Sequence, residues 1–266
     1  MSYIYRNTIE DVKNTIKLGI KRRVPQSKID NHYGNFNSLK KLLVSFNIDT
    51  GYLDVETTHD IFQMESQKVL DNLTVNMLNN LGNNVAYDKV FDYLSEEDSL
   101  EKSDWVFVFG SRNLDRPKKA AELINRGIAQ MIYCSGSRPI EEMERKHEGR
   151  SFKKYILDNF KIPEENIIAD PHENSLTMTD NVRGFLNYLD EVGKLPKSVT
   201  IVITTHNLRR GWAIFNKYVT GIKILRCSSG SRTGVERDNW YKSELGIKLI
   251  YEEYEKIRIQ QLTNTT

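Results

Sequence analysis

The sequence predicts an α/β fold: an open, mainly parallel sheet with helices on both faces, preceded by a helical N-terminal region. Three observations predict it. Short apolar runs alternate with helical segments from Asp104 onward, the pattern of a parallel sheet covered by its own crossovers. Two of those runs, Trp105 to Phe109 and Met131 to Cys134, flank one strongly helical stretch, the crossover that parallel neighbours require. Before about residue 100, apolar residues recur only at helical spacing.

Each element follows in order. Ile9, Val12, Ile16 and Ile20 mark one helical face, Leu39, Leu42, Leu43 and Phe46 a second, and Ile61 to Leu81 a third. Asp88 to Leu94 supplies a short fourth helix, and the acidic stretch Ser95 to Ser103 reads as the link into the sheet. The chain thus divides into residues 1–100, helical, and 101–266, α/β. In the second part, the first strand ends at Gly110-Ser111-Arg112. The next helix buries Ala120, Ala121, Leu123 and Ile124 and closes on Gly127. A helix over Ser151 to Phe160, a strand at Asn166 to Ala169 and a helix over Thr179 to Leu189 follow. Then come a strand at Ser198 to Thr204, a helix over Arg209 to Val219 and a strand at Ile222 to Cys227. The last helix, Asn239 to Gln261, is expected to bury Trp240, Leu245, Leu249 and Tyr254.

Composition narrows the class. The 266 residues are enough for a substantial core, and a net charge of +2 gives no long-range field to draw nucleic acid. Lys21-Arg22-Arg23 is a short basic run without interleaved aromatics, which argues against nucleic acid in the same sense. No apolar run approaches the roughly 18 residues of a membrane span, and the first residues are too polar for a secretory signal. Two cysteines, Cys134 and Cys227, are expected to be free thiols in a reducing cytoplasm. No pattern sets an oligomeric state.

The strand ends carry the chemistry. Parallel sheets bind ligands beyond the carboxyl ends of their strands. Gly110, Ser111 and Arg112, with Arg116, form one small-residue turn there, and Ser135, Gly136, Ser137 and Arg138 repeat it at the next strand end. Glycine lets the backbone approach a ligand, the following helix offers unpaired N–H groups, and arginine makes bidentate contacts to phosphate or carboxylate. The two turns together are read as one anion pocket. They contain neither G-x-G-x-x-G nor a Walker loop, and neither serine sits in a nucleophile elbow. Ser175, Asp180 and Asn181 stand where a helix begins, as cleft residues or as helix caps, with Thr179 as the expected cap. Thr204, Thr205, His206 and Arg210 follow the strand from Ser198, and His206 can serve as acid, base or ligand. His147-Glu148 and His172-Glu173 lack metal-ligand spacing, so no metal site is expected, and His32 and His59 stand alone.

In this order the turns resemble the YdcF/SanA/ElyC-like family, catalogued as domain of unknown function 218. The first part of its pattern is matched by Gly110, Arg116, Ala120, Leu123, Gly127 and Ser135-Gly136-Ser137. Glu148 stands for its middle glutamate, and Ser175, Asp180 and Asn181 for its E-x-x-S-x-N-T-x-E-N element, with Asp in place of Glu. Thr204, Thr205, His206 and Arg210 match the final V-T-S-x-x-H-x-x-R-A. Thr177 and Met178 replace the usual Asn and Thr, and Asn207 occupies the usual histidine place. The resemblance covers about 104–228. It implies a Rossmann-like sheet that binds a small anionic or nucleotide-like ligand at its strand ends. S-adenosylmethionine is a ligand considered for the family. Unlike membrane-anchored relatives, this chain resembles the soluble branch. The resulting expectation is an enzyme on a phosphorylated or nucleotide-containing small molecule, with His206, Asp180 and Glu148 as acid/base groups. A non-catalytic ligand-binding or regulatory module is the alternative, and an S-adenosylmethionine-dependent transferase a further one.

Overall fold

A computed structural model describes residues 84–140, 146–172, 175–219, 221–231 and 233–262. The helices expected between residues 9 and 81, His32, His59 and Glu173 lie outside the described residues. Helix α1 spans Asn84–Ser95, longer at both ends than its sequence signal. Strand β1 (Trp105–Val108) leads through α2 (Asp115–Asn125) to β2 (Met131–Cys134). A two-residue antiparallel pair follows, β3 (Pro139–Ile140) with β4 (Lys146–His147). Then come α3 (Glu148–Asn159), β5 (Ile167–Ala169), α4 (Met178–Val192), β6 (Ser198–Ile203), α5 (Leu208–Tyr218), β7 (Lys223–Ser228) and α6 (Glu244–Leu262).

The main sheet has the order β5-β2-β1-β6-β7, and its pairings β1–β2, β1–β6 and β2–β5 are parallel. From β1 the chain steps outward to β2 and β5, then returns to β6 on the other side, so the order reverses between β1 and β6. Right-handed crossovers then put α2 and α3 on one face and α4 and α5 on the other. Contacts agree: α2 packs on β1 and β2, and α3 on β2 and β5. On the opposite face, the alternating side chains Trp105, Phe107 and Phe109 meet α4 and α5. Phe107 lies 5.3 Å from the Phe185 ring and 4.7 Å from the Phe215 ring, centroid to centroid. Period-2 alternation thus gives β1 two buried faces, which is why it reads as a continuous apolar run. No helix among the described residues is long and apolar enough to cross a membrane.

The chain forms two compact units. Among the described residues one comprises 99–202 and 214–225, the other 84–98, 203–213 and 226–262. In the second unit, α1 packs Tyr87, Val90, Phe91 and Leu94 with Trp240, Tyr241, Ile247, Ile250 and Ile257. Leu245, expected inside, is half exposed. The reason is local: the chain makes a 3₁₀ turn over Trp240–Lys242 and only then starts α6, which shifts the buried face to Ile247, Ile250 and Ile257. The stretch from Ser95 to Ser103 is less of a bare link than its composition suggests. Asp98 takes the Arg226 guanidinium in a two-point pair, Glu96 bridges Arg226 and Arg209, and Glu97 accepts from the Ser228 N–H. Cys134 and Cys227 are buried free thiols, and burial pushes the Cys134 thiol pKa up.

Candidate functional site

The two glycine turns of the first unit do converge. A Cβ placed on Gly110 would lie 2.8 Å from Gly136 Cα and 2.7 Å from Glu148 Oε2. Gly136 has φ +104° and an equally close approach to Gly110 Cα and to the Glu148 carboxylate. The glycines therefore admit Glu148, a protein carboxyl, where the sequence alone suggested a ligand's approach to bare backbone. Glu148 opens α3. Its N–H donates to Arg138 O (3.0 Å) and the Gly149 N–H to Gly136 O (2.9 Å), so the helix start is stitched to the second turn. Its side chain is 4% exposed, and the Arg138 N–H donates to Oε2 at 3.2 Å. Burial pushes the Glu148 carboxyl pKa above its ordinary value, against the opposing pull of that N–H and of Arg138, Arg116 and Arg112.

Hydrogen-bond capacity shows which groups at the turns are bound within the protein. Asn181 Oδ1 accepts from the Gly110 N–H (2.7 Å) and from Ser135 Oγ (2.9 Å), while Nδ2 donates to Ser175 O (3.3 Å) and Thr177 O (2.9 Å). That is an amide's full complement of two donors and two acceptor sites, and it fixes which way the amide faces. Ser135 is fully buried and shares its one proton between Val108 O and Asn181. Ser137 and Ser175 are laced together: the Ser175 N–H donates to Ser137 Oγ, the Ser137 N–H to Ser175 O, and Ser175 Oγ to the buried Asp170. Buried Arg116 donates through one terminal nitrogen to Phe109 O (3.2 Å) and Gly110 O (2.6 Å), pinning the first turn. At α2, the N–H of Asp115 is taken by Asn113 Oδ1, and Asp115 itself brings a negative charge to the first turn. That helix start is thus less anion-ready than its position suggests.

Asp180 is the third residue of a capping box. Thr177 Oγ1 accepts the Asp180 N–H at 3.1 Å, and the Thr177 N–H donates to Asp180 Oδ2 at 2.9 Å. The cap is Thr177 and not Thr179, because α4 begins at Met178. Among the described residues, no partner is seen at the turns for Glu148 Oε1, the exposed Arg112 or the terminal nitrogens of Arg138, whose Nε donates to Leu176 O at 3.1 Å. Ser111 Oγ accepts from the Asn113 N–H. Arg138 stands in the second turn motif, yet its place beside a buried carboxyl becomes visible only once Glu148 is located.

The last sequence motif belongs to the second unit. Thr204 precedes a 3₁₀ turn, Thr205–Asn207, in which Thr205 and His206 are buried. Thr205 Oγ1 lies 2.6 Å from Ser228 Oγ. Arg210 makes a two-point pair with Glu253 of α6, at 2.6 and 3.0 Å, and Asn207 donates to the same carboxylate at 2.8 Å. Glu253 is 1% exposed. Burial pushes its carboxyl pKa up, but Arg210 outweighs that and holds it below the ordinary range, with His206 adding a smaller pull. Arg209 lies over the Tyr93 ring at 4.4 Å. Arg210 thus has its anion already, supplied by the chain itself.

A groove of about 480 Å³ opens at the opposite, amino ends of β1 and β2, rimmed by Lys102, Lys194 and Lys197. Its one carboxylate, Asp104, accepts from the Lys197 and Ser198 N–H groups. It holds none of the turn motifs.

Comparison with known proteins adds one relative. An uncharacterized protein of Streptomyces coelicolor is 28% identical over 126 residues, which cover 47% of this chain and 55% of that protein's length. No family model matches the chain, and no solved structure matches it. What stands is an α/β protein whose first unit sets a buried carboxyl between two glycine turns.

Proposed function

We propose that the chain binds a small anionic or nucleotide-like ligand at the carboxyl ends of its parallel strands and acts on it as an enzyme. The substrate would be a phosphorylated or nucleotide-containing small molecule. Glu148 serves as its acid/base group, and Arg112 and Arg138 hold the anion. One observation carries this reading: Glu148 is buried, burial pushes its carboxyl pKa up, one of its oxygens has no partner among the described residues, and the charges of three arginines act on it. A carboxyl with that environment is suited to proton transfer near neutral pH. The order and spacing of the turn motifs support a YdcF-like assignment, and the strand order supports a ligand at the carboxyl edge.

The non-catalytic module is favoured by a different observation. Asp180 is spent on the α4 cap and Arg210 on Glu253, so two groups read as acid/base and anion-binding are engaged within the protein. A thermal-shift screen tests both readings, against nucleotides, sugar nucleotides, polyprenyl-phosphate analogues and S-adenosylmethionine. A ligand at about 100 times its Kd adds about 2.7 kcal/mol of stability. The expected result is a hit that is turned over, with turnover lost in Glu148→Gln. Saturable binding without product selects the module, and turnover that survives Glu148→Gln removes Glu148 from the chemistry.

A further inference from the structure

The proposed anion site leaves open which anion it fits, and the uncommitted groups answer by their number and kind. The Arg138 N–H donates to Glu148 Oε2, so a proton held by this carboxyl sits on Oε1, the oxygen without a partner among the described residues. Arg138 is joined to the carboxyl through its backbone N–H, and the charges of Arg138 and Arg112 both act on it. Resting on that reading of the site, we infer that it takes a terminal phosphate as the dianion, with one proton taken up: each phosphate oxygen meets a separate donor, from Arg112, Arg138 and the Glu148 Oε1–H.

The chemistry follows from charge and geometry. A dianion set against an ionised carboxylate would place like charges in contact, so binding shifts the proton equilibrium of Glu148 toward the neutral acid. The proton comes from solvent; no bond other than that O–H is formed. A phosphodiester has two non-bridging oxygens and one negative charge, which leaves one donor unmet and removes most of the drive to protonate. Among the described residues, the charged groups that act on Glu148 are Arg112 and Arg116 from the segment after β1, and Arg138 from the turn after β2. From β5 and α4, the carboxylates Asp170 and Asp180 are bound to Ser175 and Thr177, and Asn181 is neutral. Arginines do not titrate in the working range, so Glu148 is the group that carries the linkage.

Inorganic sulfate is the probe, because it stays a dianion from about pH 5 to about pH 8 and any pH dependence belongs to the protein. Sulfate binding to the whole chain is measured by calorimetry across that range. The expected result is affinity rising as pH falls, by up to about tenfold per pH unit, with about one proton taken up per sulfate in paired buffers of different ionisation enthalpy. Glu148→Gln is expected to bind sulfate with no pH dependence. Phenyl phosphate should displace sulfate and diphenyl phosphate should not. Sulfate that binds without proton uptake, or a pH dependence that survives in Glu148→Gln, overturns the proton-linked inference and leaves the anion site standing. Equal competition by the diester overturns the terminal-phosphate class. A folded wild-type protein that binds neither sulfate nor phenyl phosphate at any pH overturns the anion site itself. The paired-buffer measurement needs only wild-type protein, so the inference is testable even if the variant fails to fold.

Discussion

The sequence offers Asn181 as a cleft residue or a helix cap, and in the structure its buried amide clamps the two turns to the start of α4. Its amide spends all four bonds on Gly110, Ser135, Ser175 and Thr177. Asn181→Ala would leave the Gly110 N–H and two carbonyls without their partner in a buried place, at about 1–3 kcal/mol for each group that finds no water. We expect a loss of about 3 kcal/mol in urea denaturation; a loss under about 1 kcal/mol would mean that the network is not the clamp described. Gly110→Ala tests the convergence of the turns, because the new methyl meets Gly136 Cα, a backbone atom that cannot swing away. Overpacking of this kind costs about 1–3 kcal/mol. Removing the Glu148 side chain in the same protein should recover only part of that, since the Gly136 contact stays.

At the level of elements, the sequence displays what is periodic and hides what is paired. β1, β2, β6 and β7 are legible because β-branched and aromatic runs end at small polar turns, and α4 because its apolar residues keep helical spacing. The β3–β4 pair is not legible, since two-residue strands show no alternation. α3 begins at Glu148, earlier than expected, because Gly149 is a poor helix former whose presence has another cause: a Cβ there would lie 2.6 Å from Cys134 O. That early start is what brings Glu148 into the turns. Glu148 could be singled out by motif order, but Arg210's partner could not, because Glu253 lies 43 residues away on another helix. The capping box gives an element-scale prediction. Thr177→Ala should cost about 1 kcal/mol of stability, as lost caps do, and leave sulfate affinity unchanged. A large fall in sulfate affinity with stability intact would place Thr177 and Asp180 at the ligand.

For the whole molecule, two buried carboxyls make stability depend on pH in opposite senses. Glu253 in the second unit is held below its ordinary 4.5 by Arg210, so the unfolded chain binds more protons in that window. Its contribution is present above pH 4.5 and is lost as pH falls through the folded value. Removing it leaves a half-buried Arg210 without that partner, so Glu253→Ala should cost about 3 kcal/mol at neutral pH. Glu148 in the first unit is raised above 4.5 by burial, so the native state binds more protons there. Its contribution is complete below 4.5 and is lost as pH rises through the folded value. A glutamine at 148 has no proton to lose. Glu148→Gln should therefore gain on wild type as pH rises from about 4 to about 7.5. Amide hydrogen exchange reads the two units separately, through the β1 amides around Phe107 for one and the α1 amides around Leu94 for the other. The Glu148→Gln gain should appear in β1 and grow with pH, while the Glu253→Ala loss should appear in α1. A Glu148→Gln effect that shrinks as pH rises would mean that Glu148 is ionised and well paired at neutral pH, a structural carboxylate and not a proton carrier.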